Sequence, residues 1–376
     1  MKKFLAVIAS VVLAISMLAF TGCKDKDSNP YVIEGNYKEA TAEQVKTEFA
    51  KVDLSSAFGD VTANDYKLGF ELSESLNLSM DTKMSMSGYT MDVNYSIGTD
   101  ANYKMSFTDF ENPAFSGSGY ANLNGKMTVS MDKESESTSM SVKTNLYNDS
   151  DYVYVDMYET KNVEAFFGTS IKPMKLKASF EDISNAIAGA GNPEGPSQDD
   201  TITPADEIII DGGADGPNEI IVAPGMDVDA LLGMLDTLKI KVALDTENGL
   251  KAKITIDKES YDAILALAEQ DAEADEMGDV LESIAALKNM LEVNTLRIDI
   301  YLAFDANGLF SAFTIDCDID AKLKTANIPD MPVMISGDFN VKINGGISVK
   351  IYNGDITLPN GIATDSSYVD VFEVLG

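Results

Sequence analysis

Between residues 68 and 107 apolar side chains recur at every second position. Even positions carry Leu68, Phe70, Leu72, Leu76, Leu78, Met80, Met84 and Met86. Near Gly88 the phase flips, and odd positions carry Tyr89, Met91, Val93, Tyr95, Ile97, Tyr103, Met105 and Phe107. A period of two means strands with one buried and one wet face. A flip at a turn keeps the apolar set on the same side of the sheet. The pattern continues through Met127, Val129 and Met131, through Met140, Val142 and Leu146, and through Met174, Leu176, Ala178 and Phe180. "DYVYVDMY" (151–158) is apolar on both faces and should lie centrally or under a helix. Asn124-Gly125 and Asn148-Asp149 read as turns in a long antiparallel meander.

Residues 191–225 break the alternation. They are rich in glycine, proline and aspartate and contain two near-copies, "ADEIIID" and "PNEIIVA", that suggest a small hairpin. A loop this long reads as a surface insertion. Helical spacing follows in "MDVDALLGMLDTL", and again from Lys258 to Val293, in Ile264, Leu265 and Ala268 and then in Val280, Leu281, Ile284, Leu287 and Leu291, with Gly278 as the break between two helices. Hairpins are expected across Asn248-Gly249, Asn307-Gly308 and Asn344-Gly345. Near the N-terminus, Thr41 and Gln44 form a capping-box signature ahead of Val45 and Phe49. The reading is α+β: about thirteen strands in one large curved antiparallel sheet, a half-open barrel with helices packed on its concave face, since a sheet of that size curls. The alternative is two smaller α+β domains divided at 191–225.

The first 22 residues have a short positive start (Lys2, Lys3) and an apolar run from Phe4 to Phe20, the layout of an export signal. They end at "FTGC", which resembles the bacterial lipobox, where the cysteine receives lipid and becomes the new N-terminus. The expected organisation is a lipoprotein signal peptide at 1–22, lipidation at Cys23, a flexible polar tether over 23–40, and the folded body over 41–376. Each buried methylene of an acyl chain contributes about 0.8 kcal/mol, which makes multiple acylation an effective anchor. The expected location is therefore exported and lipid-anchored to a bacterial membrane, on its periplasmic face or at the cell surface.

With 61 acidic and 28 basic residues the chain has a formal charge of −33. Nucleic-acid binding requires a basic footprint, and this composition excludes it. With Cys23 acylated, Cys317 is the remaining cysteine. Its neighbours Asp316 and Asp318 should raise its thiol pKa and keep it unreactive. The chain has no histidine, hence no ordinary catalytic triad and no imidazole base. Acidic residues are abundant, but no carboxylate pair stands out for glycoside hydrolysis. The expectation is no enzyme and no cofactor.

Taken together, "FTGC", the helix at 41–52, the successive amphipathic hairpins, "DYVYVDMY" and the tail "LPNGIATDSSYVDV" resemble bacterial lipoproteins with a LolA/LppX-like fold. That resemblance implies an unclosed barrel whose concave face and helices enclose an apolar cavity, used by known members to carry acyl chains or lipoproteins. It assigns no functional residue individually.

Ten of the 18 methionines fall between residues 66 and 180. Methionine fills irregular cores and suits adaptable binding surfaces. Copper(I) ligation by thioethers is the weaker reading, because histidine and a nearby cysteine are missing. Asp316, Asp318 and Asp320 share a face and read as a solvated exterior sooner than a calcium site, and "DGGADG" (211–216) lacks calcium-loop spacing. No metal is expected. The functional expectation is a membrane-anchored lipoprotein with an apolar cavity for a hydrophobic ligand such as lipid. Met84, Met86, Met91, Met105, Phe107 and Met127 would form the wall, and Leu265, Leu281 and Leu287 the helical lid. The alternative is a structural or adhesive surface lipoprotein with a packed core.

Overall fold

The computed structural model describes residues 29–52, 58, 67–86, 89–107, 115–131, 134–183, 233, 235–271, 291–324 and 339–372. Cys23, Leu281, Leu287 and the insertion 191–225 lie outside the described residues, as do the side chains of Met84 and Met86.

Two antiparallel meanders make up the sheet. In the first, β2 (Leu68–Met86), β3 (Tyr89–Phe107), β4 (Phe115–Met131), β5 (Glu134–Asn148), β6 (Tyr152–Lys161) and β7 (Met174–Ser179) pair in succession. In the second, the succession is β8 (Lys241–Asp245), β9 (Leu250–Asp257), β10 (Leu291–Phe304), β11 (Phe310–Leu323) and β12 (Phe339–Ile351). β12 then pairs with β2, from Phe339–Thr82 to Ile351–Phe70. The stretches on either side of the insertion therefore form one large open sheet rather than two separate sheets. β6 is interior, between β5 and β7, as its two-sided apolar pattern suggests. β2 and β3 each run 19 residues, about 60 Å at the usual strand rise.

Register assigns every strand residue to a face, because directly paired residues project to the same side. One face carries the apolar phase and packs most tightly near the start of β2. There Leu68, Phe70, Leu72, Tyr103, Met105 and Phe107 form a buried cluster with Phe115, Phe310 and Val349 around it. A second cluster joins Leu244, Leu250, Ala252 and Phe304 to helix α1 (Ala42–Phe49), which lays Val45 and Phe49 on it. α1 is capped as the sequence indicates: the Gln44 amide donates to Thr41 Oγ1 at 3.3 Å, and the Thr41 amide donates to Gln44 Oε1 at 2.8 Å. Short α2 (Val163–Phe167) puts Phe166 against Tyr95. In α3 (Lys258–Asp271), the Asp257 carboxylate accepts from the Glu259 and Ser260 amides at 3.0 and 3.2 Å.

Two expected turns are not turns. Asn124-Gly125 lies inside β4 and Asn344-Gly345 inside β12. Both glycines answer to packing. A Cβ on Gly125 would come 2.8 Å from Met140 and Phe166, and one on Gly345 would come 1.9 Å from the Ser75 carbonyl. A glycine in a strand here marks a close approach. Asn248-Gly249 and Gly308 have the positive φ of tight turns; Gly345 has a positive φ as well, but lies inside the β12 ladder.

The sheet's opposite face is polar, and two segments, 29–40 and 352–372, lie across it. The described part of the expected tether, 29–40, is held against β8–β12 rather than standing off from them. Asn29 Nδ2 donates to Asp316 Oδ1 at 2.8 Å, Thr314 Oγ1 to the Tyr31 carbonyl at 2.6 Å, and the Asn36 amide to Asp245 Oδ2 at 3.1 Å. Tyr31 is buried above Gly346, and Tyr37 stacks near Tyr301 with centroids 5.9 Å apart. The segment then pairs as β1 (Lys38–Glu39) with the free edge of β8 and crosses to the apolar face as α1. At the other edge the tail after β12 covers β5–β7. Tyr154, Ile362 and Tyr368 form a buried cluster, and β13 (Val369–Asp370) pairs parallel with β7. Unpaired edges invite association with other chains; here β1 pairs with Ala243 and Leu244 of β8, and β13 with Leu176 and Lys177 of β7.

The C-terminal clasp carries a pH dependence. The Asp365 carboxyl is held down at about 2, first by the Ser367 hydroxyl and amide and then by Lys175, whose Nζ lies 3.1 Å from Asp365 Oδ2. A carboxyl depressed on folding contributes above its ordinary value and loses that contribution as pH falls through its folded value. The clasp should hold at pH 5 and loosen between pH 4 and 2. Amide exchange at Val369 and Asp370 measures this, and Asp365→Asn should show the loosened state already at pH 7. Unchanged protection at pH 2 would remove Asp365 from the clasp.

Candidate functional site

Following the pairing across the sheet gives apolar rungs on one face. One rung runs Ile300, Ile315, Ile347, Glu74, Ala101, Ala121, Thr144, Met157 from β10 to β6. Its neighbour runs Ile298, Cys317, Gly345, Leu76, Thr99, Leu123, Val142. The isoleucines, leucines and Val142 of both rungs are half-buried, so the centre of this face keeps accessible apolar surface.

The expected wall residues do not form one site. Met105 and Phe107 are buried in the cluster at the start of β2 and are core rather than lining. Met91 and Met127 are half-buried near the other end of the first meander, where Met91 pairs with Met131 and with Met84, and Met127 with Tyr95. The two ends are separated by about 45 Å of strand. Leu265 is buried on α3, which packs beside β9 and β10.

Glu74 was the residue missed. It occupies the apolar phase of β2 between Leu72 and Leu76, and that gap in the alternation was the signal for it. Its side chain is 2% exposed. Thr99 Oγ1 donates to Glu74 Oε1 at 2.8 Å. Burial raises the carboxyl's pKa above the ordinary value; the Thr99 hydroxyl offsets part of this and the Asp100 charge adds to it. Beyond Glu74 the rung narrows to Ala101 and Ala121, leaving a pocket of about 40 Å³ lined by Glu74, Thr99, both alanines, Asn122, Leu123, Val142 and Thr144. Larger open grooves lie elsewhere: about 1100 Å³ between α1 and residues 233–242, and about 520 Å³ beside α2.

Cys317 lies on the apolar face. Burial, then Asp316 and Asp318, push its thiol up to about 11, which leaves it protonated at neutral pH. On the polar face Asp316 is 2% exposed beneath the N-terminal segment, not solvated. Asp320 accepts from Asn294 Nδ2 at 3.0 Å and pairs with Lys342 at 3.1 Å. Among the described residues, no three histidine, cysteine or acidic side chains are grouped to hold a metal.

No known family profile matches the chain, and no curated protein matches it. Among solved structures, it is similar to a beta-barrel-like protein of domain of unknown function DUF1849 from Brucella abortus, at 8% identity over 75% of this chain and 99% of that one, with a TM-score of 0.12. It is also similar to the translocator domain of the autotransporter NalP from Neisseria meningitidis, at 6% identity over 82% and 95%, with a TM-score of 0.14. At those scores neither likeness bears on the fold or its use. What the fold defines is a class, a large open antiparallel sheet with one apolar and one polar face.

Proposed function

We propose that this is an exported lipoprotein, anchored through Cys23, that binds a hydrophobic ligand on the apolar face of its sheet. The observation that supports this most is the run of half-buried aliphatic residues around Ile300, Ile315, Ile347, Leu76, Leu123 and Val142. Contiguous apolar surface of this kind is unusual on a monomer and marks ligand or partner sites. In this reading the lining is the centre of the sheet, with Met91 and Met127 toward one end of it and the packed cluster of Met105 and Phe107 beyond the other. In this reading the half-open barrel has its hollow on that side, and helices such as α3 cover it. The proposal involves no catalysis, metal or nucleic acid.

The competing reading, a structural surface protein with a filled interior, draws support from the closed cluster around Phe70 and Phe107. Native mass spectrometry of the gently extracted full chain separates the two. An adduct of lipid mass, lost in Ile347→Asp while circular dichroism is unchanged, is the expected result. A bare chain mass in every preparation would sink the carrier reading.

A further inference from the structure

An ionisable side chain at the centre of an apolar face requires a reason. Glu74 costs desolvation free energy where leucine would cost none. Its cross-strand neighbour on β12 is Ile347, and on β3 it is Ala101. Replacing Ala101 or Ala121 with a larger apolar residue would fill the space, yet both are alanine and both are buried. The result is a pocket of about 40 Å³ beside a carboxyl group that is 2% exposed. A water molecule's share of liquid volume is about 30 Å³. The pocket therefore has room for a small polar group beside the carboxyl. Thr99 hydrogen-bonds Glu74 Oε1, and among the described residues no second side chain is recorded on the carboxyl. Thr144, on the same rung, adds a hydroxyl to the lining.

The sign of the charge narrows the ligand further. No cation is paired with Glu74 among the described residues, Asp100 adds negative potential, and the whole chain carries −33. An anionic head would be repelled, whereas an ammonium would neutralise the carboxylate and donate to it and to the threonine hydroxyls. From the geometry we propose that Glu74, with Thr99 and Thr144, is the polar anchor for an amphiphile ending in a bare primary ammonium, its alkyl chain lying along the aliphatic rungs. This rests on the apolar face being a ligand wall. Burial raises the Glu74 carboxyl above its ordinary value, so amine binding should weaken as pH falls through that raised value.

The test is a native mass-spectrometric titration of the full chain with dodecylamine, dodecanol and dodecanoate at equal concentrations. Dodecylamine should be retained one to one, about tenfold more tightly than the other two. That preference should vanish in Glu74→Gln, with dodecanol retention unchanged and the circular dichroism spectrum intact. Equal retention of all three, or a preference that survives Glu74→Gln, overturns the assignment of the anchor and leaves the wall standing. If none of the three is retained, the wall falls with it. A pocket that merely hydrates Glu74 with one water gives equal retention, and so counts against the proposal.

Discussion

Gly345→Val is expected to destabilise the protein by about 3–5 kcal/mol, in the range reserved for backbone and overpacking defects. Gly345 has φ of +132°, and a Cβ there would sit 1.9 Å from the Ser75 carbonyl and 2.8 Å from Leu76 Cα. Both contacts are with β2 backbone, which cannot rotate away as a side chain could. The position lies within the β12–β2 ladder that joins the two meanders, so relief requires opening the seam itself. A denaturant titration followed by circular dichroism reads the loss as a lower midpoint. Gly168→Ala is the control: Gly168 also has positive φ (71°), but a Cβ there meets nothing within 4 Å. It should cost only the strain of a left-handed residue, about 1–2 kcal/mol. Equal losses in the two variants would mean that φ, and not the close approach, decides.

This seam also shows what the sequence does and does not disclose. Alternation within β2 and β3 is a local property, so both strands and their shared apolar face could be read directly. The pairing of β12 with β2 joins residues more than 250 positions apart, and no local pattern fixes it. Asn344-Gly345 carries a strong turn signal taken alone. Only the approach of Ser75 shows that it is a glycine kept for space. The chain ends are harder still. Residues 29–40 are polar and contain Pro30 and Gly35, which is tether composition, yet they are held by the Tyr31 carbonyl, which accepts from Thr314, by the Asn36 amide, which donates to Asp245, and by the Tyr37 ring, whose partners on β8–β12 follow more than 200 residues later. The methionine pattern gives the side of the sheet on which Met91, Met105 and Met127 lie but not their depth along it, because periodicity records sides and not depth. Glu74 was legible as an interruption; its significance needed Ala101 and Ala121 beside it.

The second large effect concerns Arg297, the chain's one arginine. Asp299 and Asp316 are directly paired across β10 and β11 and almost fully buried, at 0% and 2% exposure. Like charges in that arrangement repel. Arg297 Nη1 donates to Asp299 Oδ2 at 2.7 Å, and Nη2 forms an ion pair with Asp316 Oδ2 at 2.9 Å. Asp299 also receives the Thr255 hydroxyl at 2.6 Å and faces Lys253 Nζ at 3.2 Å; Asp316 receives Asn29. Removing one member of a buried ionic set costs about 3–5 kcal/mol, because the remaining charge is left uncompensated. Arg297 is itself half-exposed and Lys253 still faces Asp299, so solvent screening brings the expected cost of Arg297→Met to about 2–3 kcal/mol. The loss should extend to the N-terminal segment, since Asp316 is what Asn29 holds, and limited proteolysis should cut within residues 29–37 sooner than in the parent chain. Arg297→Lys should recover only part, because a single ammonium does not span two carboxylates as the guanidinium fork does. Adding Asp316→Asn to Arg297→Met removes one of the facing charges while keeping an acceptor for Asn29, and should restore most of the stability and the protection of 29–37. If Arg297→Met is neutral, or if the added asparagine restores nothing, the two aspartates are not the reason this face needs its arginine.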